Sequence, residues 1–458
     1  MAMRREQDDG HKVKLNVGGK RFVTSPSTLE NAGRESMLGA MISHDWAPEK
    51  PNSHEYFIDR NPAYFSLLLD FLRTGELHVP PHMSQKALYR EALYYGLMDR
   101  VHRATWARNL DGNRIRLAAS IHGRATGDTT AIRAAQDGGC CVAHGSMVHV
   151  YDWTMEELQP LNLDYHLVND VGFLNPQRLV IGTCASVEKP SRGGMASFNT
   201  RTGKLQHRFQ VCHQGDKHKN FTAGALASSS HGHVYASCRG LKAEYGVGVW
   251  DQTTGEQVGF VYDWPLGDAG KLQWLPESNL LLAGTLYPRS DHGYIGLMDS
   301  REKNSAVLSW TDCHLLDDNV VVDALGMEDC RSVCVVNQYD NLGFLDMRSM
   351  NHVKWCHRNR PGKMVSQSVE EGEERLYSKL AACGLQLFST KKEKVHVFCA
   401  PPWVLTSQIE NKRGPCGGGI VDIAVGGDRL FVLYDEEDVF DVWDTPVSIN
   451  TRVYQEDE

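Results

Sequence analysis

Seven short motifs recur down most of this 458-residue chain, and their spacing restricts its fold more tightly than any other feature. Each is an apolar pair, then Asp, Asn or Ser, then a turn. They are VHVYDW at Asp152, MASFNTRTGK at Asn199, VGVWDQTTGE at Asp251, IGLMDSREKN at Asp299, LGFLDMRSM at Asp346, LQLFSTKKEK at Ser389 and VFDVWDTP at Asp444. Successive intervals are 47, 52, 48, 47, 43 and 55 residues. A helical solenoid would show apolar runs of period 3.6, and beyond residue 110 there are almost none. Units near 48 residues with several short strands and turn signals instead predict a β-propeller of about seven blades over residues 113–454. The 42 glycines suit its many tight turns. In the third unit the strands are expected at Phe221–Ser228, His233–Ser237, Tyr245–Trp250 and Gln257–Tyr262. The last unit has little chain after Asp444, so a strand from elsewhere must complete it. Asn113–Ile121 is the first choice and Val447–Tyr454 the second, because closing the ring removes exposed edges.

The first hundred residues follow other rules. Val13, Leu15 and Val17 alternate with polar residues, Gly18-Gly19 makes a turn, and Lys20–Thr24 resumes the alternation with Phe22 inward, which predicts a β-hairpin. Ser25 is expected to cap one helix carrying Leu29, Met37, Leu38 and Met41 on its apolar side. A short strand at Tyr56–Ile58 follows. Asn61-Pro62 then opens a helix with Tyr64, Phe65, Leu68, Leu69 and Leu72 at helical spacing, ended by Gly75. Ser84–Tyr95 and Met98–Trp106 complete the expected helices, and residues 107–112 read as a linker.

The strings KLNVGGKRFVTSPSTL, FIDRNPAYFSLLLDFLRTGEL and REALYYGL resemble a BTB/POZ domain of the potassium-channel tetramerisation type over residues 11–106. Channel members of that group carry a His and Cys set near the domain's end that binds interface zinc. No Cys precedes residue 140, so no such site is expected. The Trp250-Asp251 and Trp443-Asp444 dipeptides are similar to those of WD repeats, with degenerate versions elsewhere, as in divergent WD or YVTN-type propellers. The two matches together resemble the plant BTB–WD-repeat proteins. That resemblance implies a substrate-specific adaptor of a cullin-3 ubiquitin ligase, self-associating through the BTB part and holding a target on the propeller. A non-ubiquitin oligomeric scaffold is the alternative. By the resemblance, Val23, Ser66 and Tyr94 fall where soluble relatives contact cullin-3. The residues themselves leave an ordinary core or self-association role open. Tyr94 and Tyr95 lie about 100° apart on a helix, and Val23 lies across the pleat from Phe22, so one of each pair is left for a partner.

Charge and chemistry narrow the function further. The chain carries a net charge of −9, with 15 basic and 13 acidic residues in 1–108, so the remainder is −11. A general nucleic-acid binder needs clustered cations, which argues against that class. No apolar run approaches membrane-span length and no secretory signal is visible, so the chain is expected to be intracellular, in cytoplasm, nucleus or both, with its 12 cysteines reduced. Catalytic and cofactor motifs are missing. His207, Cys212, His213 and His218 lack the paired spacing of a tetrahedral metal site, Cys330 and Cys334 read as core, and the glycines of 414–419 and 425–428 read as blade turns. The acidic runs 370–374, 435–438 and 456–458 read as solvated loops, or as a rim that steers basic partners. Trp264, Tyr287 and Trp403, each beside a proline near a strand end, are candidates for the propeller's recognition face, with packing between blades as the alternative.

Overall fold

A computed structural model describes residues 12–445, apart from 43–54, 81–82, 105–109, 124–127, 164–166, 186–192, 263–265, 302–305, 312–319, 357–375, 411–417, 436–438 and a few single or paired positions. The chain divides into two compact units, residues 1–108 and 109–458.

In the first unit, β1 (Val13–Val17) and β2 (Lys20–Thr24) form the antiparallel hairpin. Gly18 and Gly19 both hold positive φ, 53° and 87°, as a two-residue hairpin turn requires. β3 (Glu55–Ile58) adds parallel to β1, giving the order β2-β1-β3. The single helix expected after Ser25 is two. α1 (Pro26–Glu30) is capped by the Ser25 hydroxyl, which accepts from Thr28 N, and α2 (Met37–Ala40) by Ser36. The break lies at Gly33, whose φ of 87° is left-handed, and Ser36 restarts the ladder as a second cap. α3 (Pro62–Thr74) begins at Asn61, whose side chain accepts from Ala63 N, and ends at left-handed Gly75. It buries Phe65, Leu68, Leu69, Phe71 and Leu72, each worth roughly 1.5–3 kcal/mol of apolar burial. α4 (Gln85–Tyr94) is capped by Ser84. Helical backbone resumes at Met98 and includes Val101 and Ala104, while Trp106 lies outside the described residues.

The second unit contains seven four-stranded sheets among the described residues. Six are consecutive antiparallel meanders within 129–162, 168–209, 222–262, 271–311, 321–355 and 380–410. The seventh takes three strands from 420–444 and its fourth from β4 (Arg116–His122), which pairs antiparallel with Val439–Asp444. That strand comes from the expected Asn113–Ile121 segment; Val447–Tyr454 lies outside the described residues. Every sheet shares a buried apolar core with the next. The seventh shares one with the first, where Phe431, Phe440 and Val442 meet Ile132, Val142 and Tyr151. In the third sheet the strands are Thr222–Ser228, His233–Arg239, Glu244–Asp251 and Gln257–Tyr262, within two residues of the sequence expectation.

Two expectations need correction. The sixth motif was placed at Ser389, but Gln386–Lys391 is the second strand of its sheet, whereas the other motifs end third strands. The equivalent third strand is Lys394–Cys399, so Cys399 stands where other sheets have Asp or Asn. The polar substitution hid the motif, and the degenerate Phe388-Ser389 pair mimicked it. The end of the expected linker also belongs to the second unit. Leu110 is buried in the core of the last two sheets, Asp111 N donates to Thr445 Oγ1 at 2.9 Å, and Gly112 N donates to Gln386 Oε1 at 2.7 Å.

Candidate protein-docking surfaces

On the first unit, an aromatic trio sets the geometry. Phe22 of β2 packs edge-on against Phe65 of α3 at 5.0 Å between centroids, and Phe65 meets Tyr95, just past α4, at 5.1 Å. Val23, Ser66 and Tyr94 are the immediate chain neighbours of these three residues, so three segments present them from one rigid core. The pairs divide as pleat and helix geometry require. Val23 is 50% exposed beside half-buried Phe22, and Tyr94 is 40% exposed beside fully buried Tyr95. Ser66 is half-buried. Arg73 at the end of α3 donates to the Val23 carbonyl at 3.1 Å, fixing the edge strand to the helix. Arg60 lies 3.8 Å above the Tyr94 ring, a cation–π contact worth about 0.5–1 kcal/mol at an exposed site. Burial pushes the Tyr95 hydroxyl well above its ordinary pKa, and Glu91 and Tyr94 add to the shift. Two exposed apolar side chains went unnoticed in the sequence, Phe57 on β3 at 66% and Leu93 on α4 at 64%. Phe57 shares the outer sheet face with Val23, since Lys14 pairs with Val23 and neighbouring Asn16 pairs with Arg21 and Phe57. The strand alternation held that signal: Ile58 is buried, so Phe57 must point away.

The second unit holds a cavity of about 790 Å³, open to solvent and lined by residues from the innermost strands of all seven sheets. That volume falls within the range of ligand-holding clefts. Three carboxylates set in its wall repeat one arrangement. Asp170 accepts from Val171 N at 2.9 Å and from Leu226 N of the next sheet at 2.9 Å. Asp323 accepts from Ala324 N at 2.9 Å and Leu380 N at 2.8 Å. Asp422 accepts from Ile423 N at 3.0 Å and from Ile132 N of the first sheet at 3.2 Å. Arg133 bridges Asp170 and Asp422, and Lys271 Nζ lies 3.0 Å from Asp323. Burial alone would lower the Arg133 pKa, but the two facing carboxylates outweigh it and hold the guanidinium charged. The sequence signal for these residues was present in VNDVG, VVDAL and IVDIA, an apolar residue two positions before an Asp that opens a second apolar pair.

Comparison with known proteins finds a family match for each of the two units. A family model described as "At2g24240-like, C-terminal beta propeller" matches residues 123–445, and one for the BTB/POZ domain matches residues 13–104. The chain is 48% identical to BTB/POZ domain-containing protein At2g24240 of Arabidopsis thaliana, over 95% of this chain and 98% of that protein. It is 46% identical to At4g30940 of the same plant, over 95% and 97%. The chain belongs to the At2g24240-like BTB/POZ and propeller family. SH3KBP1-binding protein 1 of Bos taurus is 39% identical over 102 residues, 22% of this chain and 14% of that protein.

The aromatic residues singled out on the propeller part ways. Tyr287 lines the cavity and packs edge-on against Tyr377 at 5.4 Å. Trp403 stacks on Phe344 of the preceding sheet at 5.0 Å, so it serves packing between sheets. Trp264 lies outside the described residues. His213 and His218 flank the Tyr245 ring at 4.9 and 5.2 Å, which engages them in aromatic packing. Cys334 is buried in the core and Cys330 packs against it from a half-buried position. The acidic runs 370–374 and 456–458, and most of 435–438, lie outside the described residues.

Proposed function

We propose that this protein is a non-catalytic adaptor, in which the BTB part self-associates and binds cullin-3 while the propeller holds a target for ubiquitin transfer by the associated ligase. The observation that carries this reading is the union in one chain of a BTB/POZ domain with outward Val23 and Tyr94 and a propeller with a solvent-open cavity. Such a molecule contributes proximity and orientation, and self-association raises the avidity of its target sites. The name of SH3KBP1-binding protein 1, which is similar over 102 residues of this chain, records protein binding in that relative. We further infer a closed ring of seven blades, supported by the apolar core shared between the first and seventh sheets. An intracellular location, cytoplasmic, nuclear or both, goes with this reading.

A pull-down of cullin-3 by the full-length protein tests it, with Val23→Asp and Tyr94→Asp as variants. Both side chains are exposed, so the charges should weaken binding at least about tenfold while the fold is kept, Tyr94→Asp losing no more in thermal melting than the ring's contact with Arg60 supplies. No binding by the wild type, beside an adaptor that does bind, rejects the cullin reading. Normal binding by both variants rejects the contact residues. Target abundance that does not respond to cullin inhibition favours an oligomeric scaffold.

A further inference from the structure

We propose that the propeller cavity is a docking site for an acidic peptide segment of a partner protein, held by Arg289 and Lys379. The inference rests on the adaptor reading and names the chemistry of its target. The charged residues in the cavity wall are four cations, Arg133, Lys271, Arg289 and Lys379, and three carboxylates, Asp170, Asp323 and Asp422. The carboxylates are fully engaged by backbone N–H groups and by Arg133 and Lys271. Among the described residues, the side chains of Arg289 and Lys379 have no ion pair or hydrogen bond, and both reach the cavity. They lie on adjoining segments: Arg289 is two residues beyond Tyr287, Lys379 two beyond Tyr377, and those two rings pack together at 5.4 Å.

Two free cations in the wall therefore stand out against a part of the chain whose net charge is −11. That background disfavours a long polyanion such as nucleic acid, whose binding needs many cations at once. A short acidic segment needs only these two, and its apolar side chains can use the rings of Tyr287 and Trp274, which also line the cavity.

The test is fluorescence polarisation of the full-length protein with a labelled decapeptide carrying four Asp or Glu residues and one Phe, beside a Lys-substituted counterpart. The acidic peptide should bind, more weakly as salt rises, and the Lys peptide should not. Arg289→Glu and Lys379→Glu should each weaken binding at least about tenfold, and Arg289→Gln and Lys379→Gln less, with thermal melting confirming the fold. Lys204→Glu, on an exposed outer turn away from the cavity, should leave it unchanged. No binding, equal binding of the Lys peptide, or indifference to all four cavity variants overturns the proposal. Displacement by inorganic phosphate at the peptide's own affinity overturns it too, by showing an anion site without peptide recognition. Failure here alongside normal cullin-3 capture rejects the acidic-peptide inference alone. Peptide binding without cullin-3 capture rejects the ligase reading and leaves the docking site standing.

Discussion

Replacing Asp323 should damage the propeller far more than a typical single substitution. Its carboxylate is 5% exposed and holds three donors: Ala324 N at 2.9 Å, Leu380 N of the next sheet at 2.8 Å, and Lys271 Nζ at 3.0 Å. Asp323→Ala strands two amides, and a buried donor left unpaired costs about 1–3 kcal/mol. It also leaves Lys271 without its carboxylate, and breaking a buried pair costs about 3–5 kcal/mol. These losses overlap, and Lys271 is itself 24% exposed, so we expect about 3–4 kcal/mol in total. Lys271→Met should cost less, because Asp323 retains both amides. Urea unfolding followed by tryptophan fluorescence measures each variant, and the double variant gives the coupling between the two side chains. A loss below about 1 kcal/mol for Asp323→Ala, at unchanged urea dependence, would refute the view that this carboxylate ties the sheets together.

Three further outcomes follow from burial and edges. Tyr95→Phe should raise the stability of the BTB unit by about 1 kcal/mol in thermal melting, because the Tyr95 hydroxyl is buried without a hydrogen-bond partner among the described residues. Iodoacetamide at pH 8 should label Cys399: partial burial raises its thiol pKa, but hydrogen bonds with Thr406, Asn113 and Gln386 together outweigh this and lower it. It should spare Cys238, pushed up to about 12 by burial, until the protein is unfolded; mass spectrometry of the labelled peptides reads both. Removing residues 1–122 should expose the edge of Val439–Asp444 and produce aggregation by light scattering, whereas a chain starting at residue 109 keeps β4 and should stay soluble.

Much of this fold was legible because its signals are local. The alternation at Val13–Thr24, the Asn61-Pro62 start and the apolar pairs before turns each depend on a few adjacent residues. The turn chemistry is equally local: Asp251 accepts from Thr253 N and Thr254 N at 2.8 and 2.7 Å, and Asn199 from Arg201 N and Thr202 N. The sixth unit escaped because Cys399 replaces the turn-binding acceptor, so the pattern had no anchor there. The break at Gly33 escaped because the apolar positions on both sides suit one helix as well as two. The cavity escaped for a different reason. Its wall joins residues from seven units, and which cations remain unpaired depends on neighbours far along the chain, such as Asp323 for Lys271 across 52 residues.

The junction between the seventh and first sheets carries the largest closure entropy, and its polar contacts match that burden. Asp422 reaches Ile132 across 290 residues, while Asp323 reaches Leu380 across 57. With closure entropy growing as (3/2)RT ln n, the longer loop costs about 1.4 kcal/mol more. Against this, Arg133 joins Asp422 to Asp170, Arg429 donates to the carbonyls of Gly138 and Trp153 at 2.9 and 2.6 Å, and Tyr151 packs on Phe440 at 5.0 Å. Asp422→Ala removes the carboxylate that joins both Arg133 and Ile132, so it should loosen this seam before the rest of the propeller. Hydrogen exchange should then accelerate in Thr129–Ala134 and Ile420–Gly426 while Glu244–Asp251, on the far side of the chain order, keeps its protection. Uniform acceleration across all sheets would mean that the seam is no weaker point than any other junction, and that the apolar cores alone hold it.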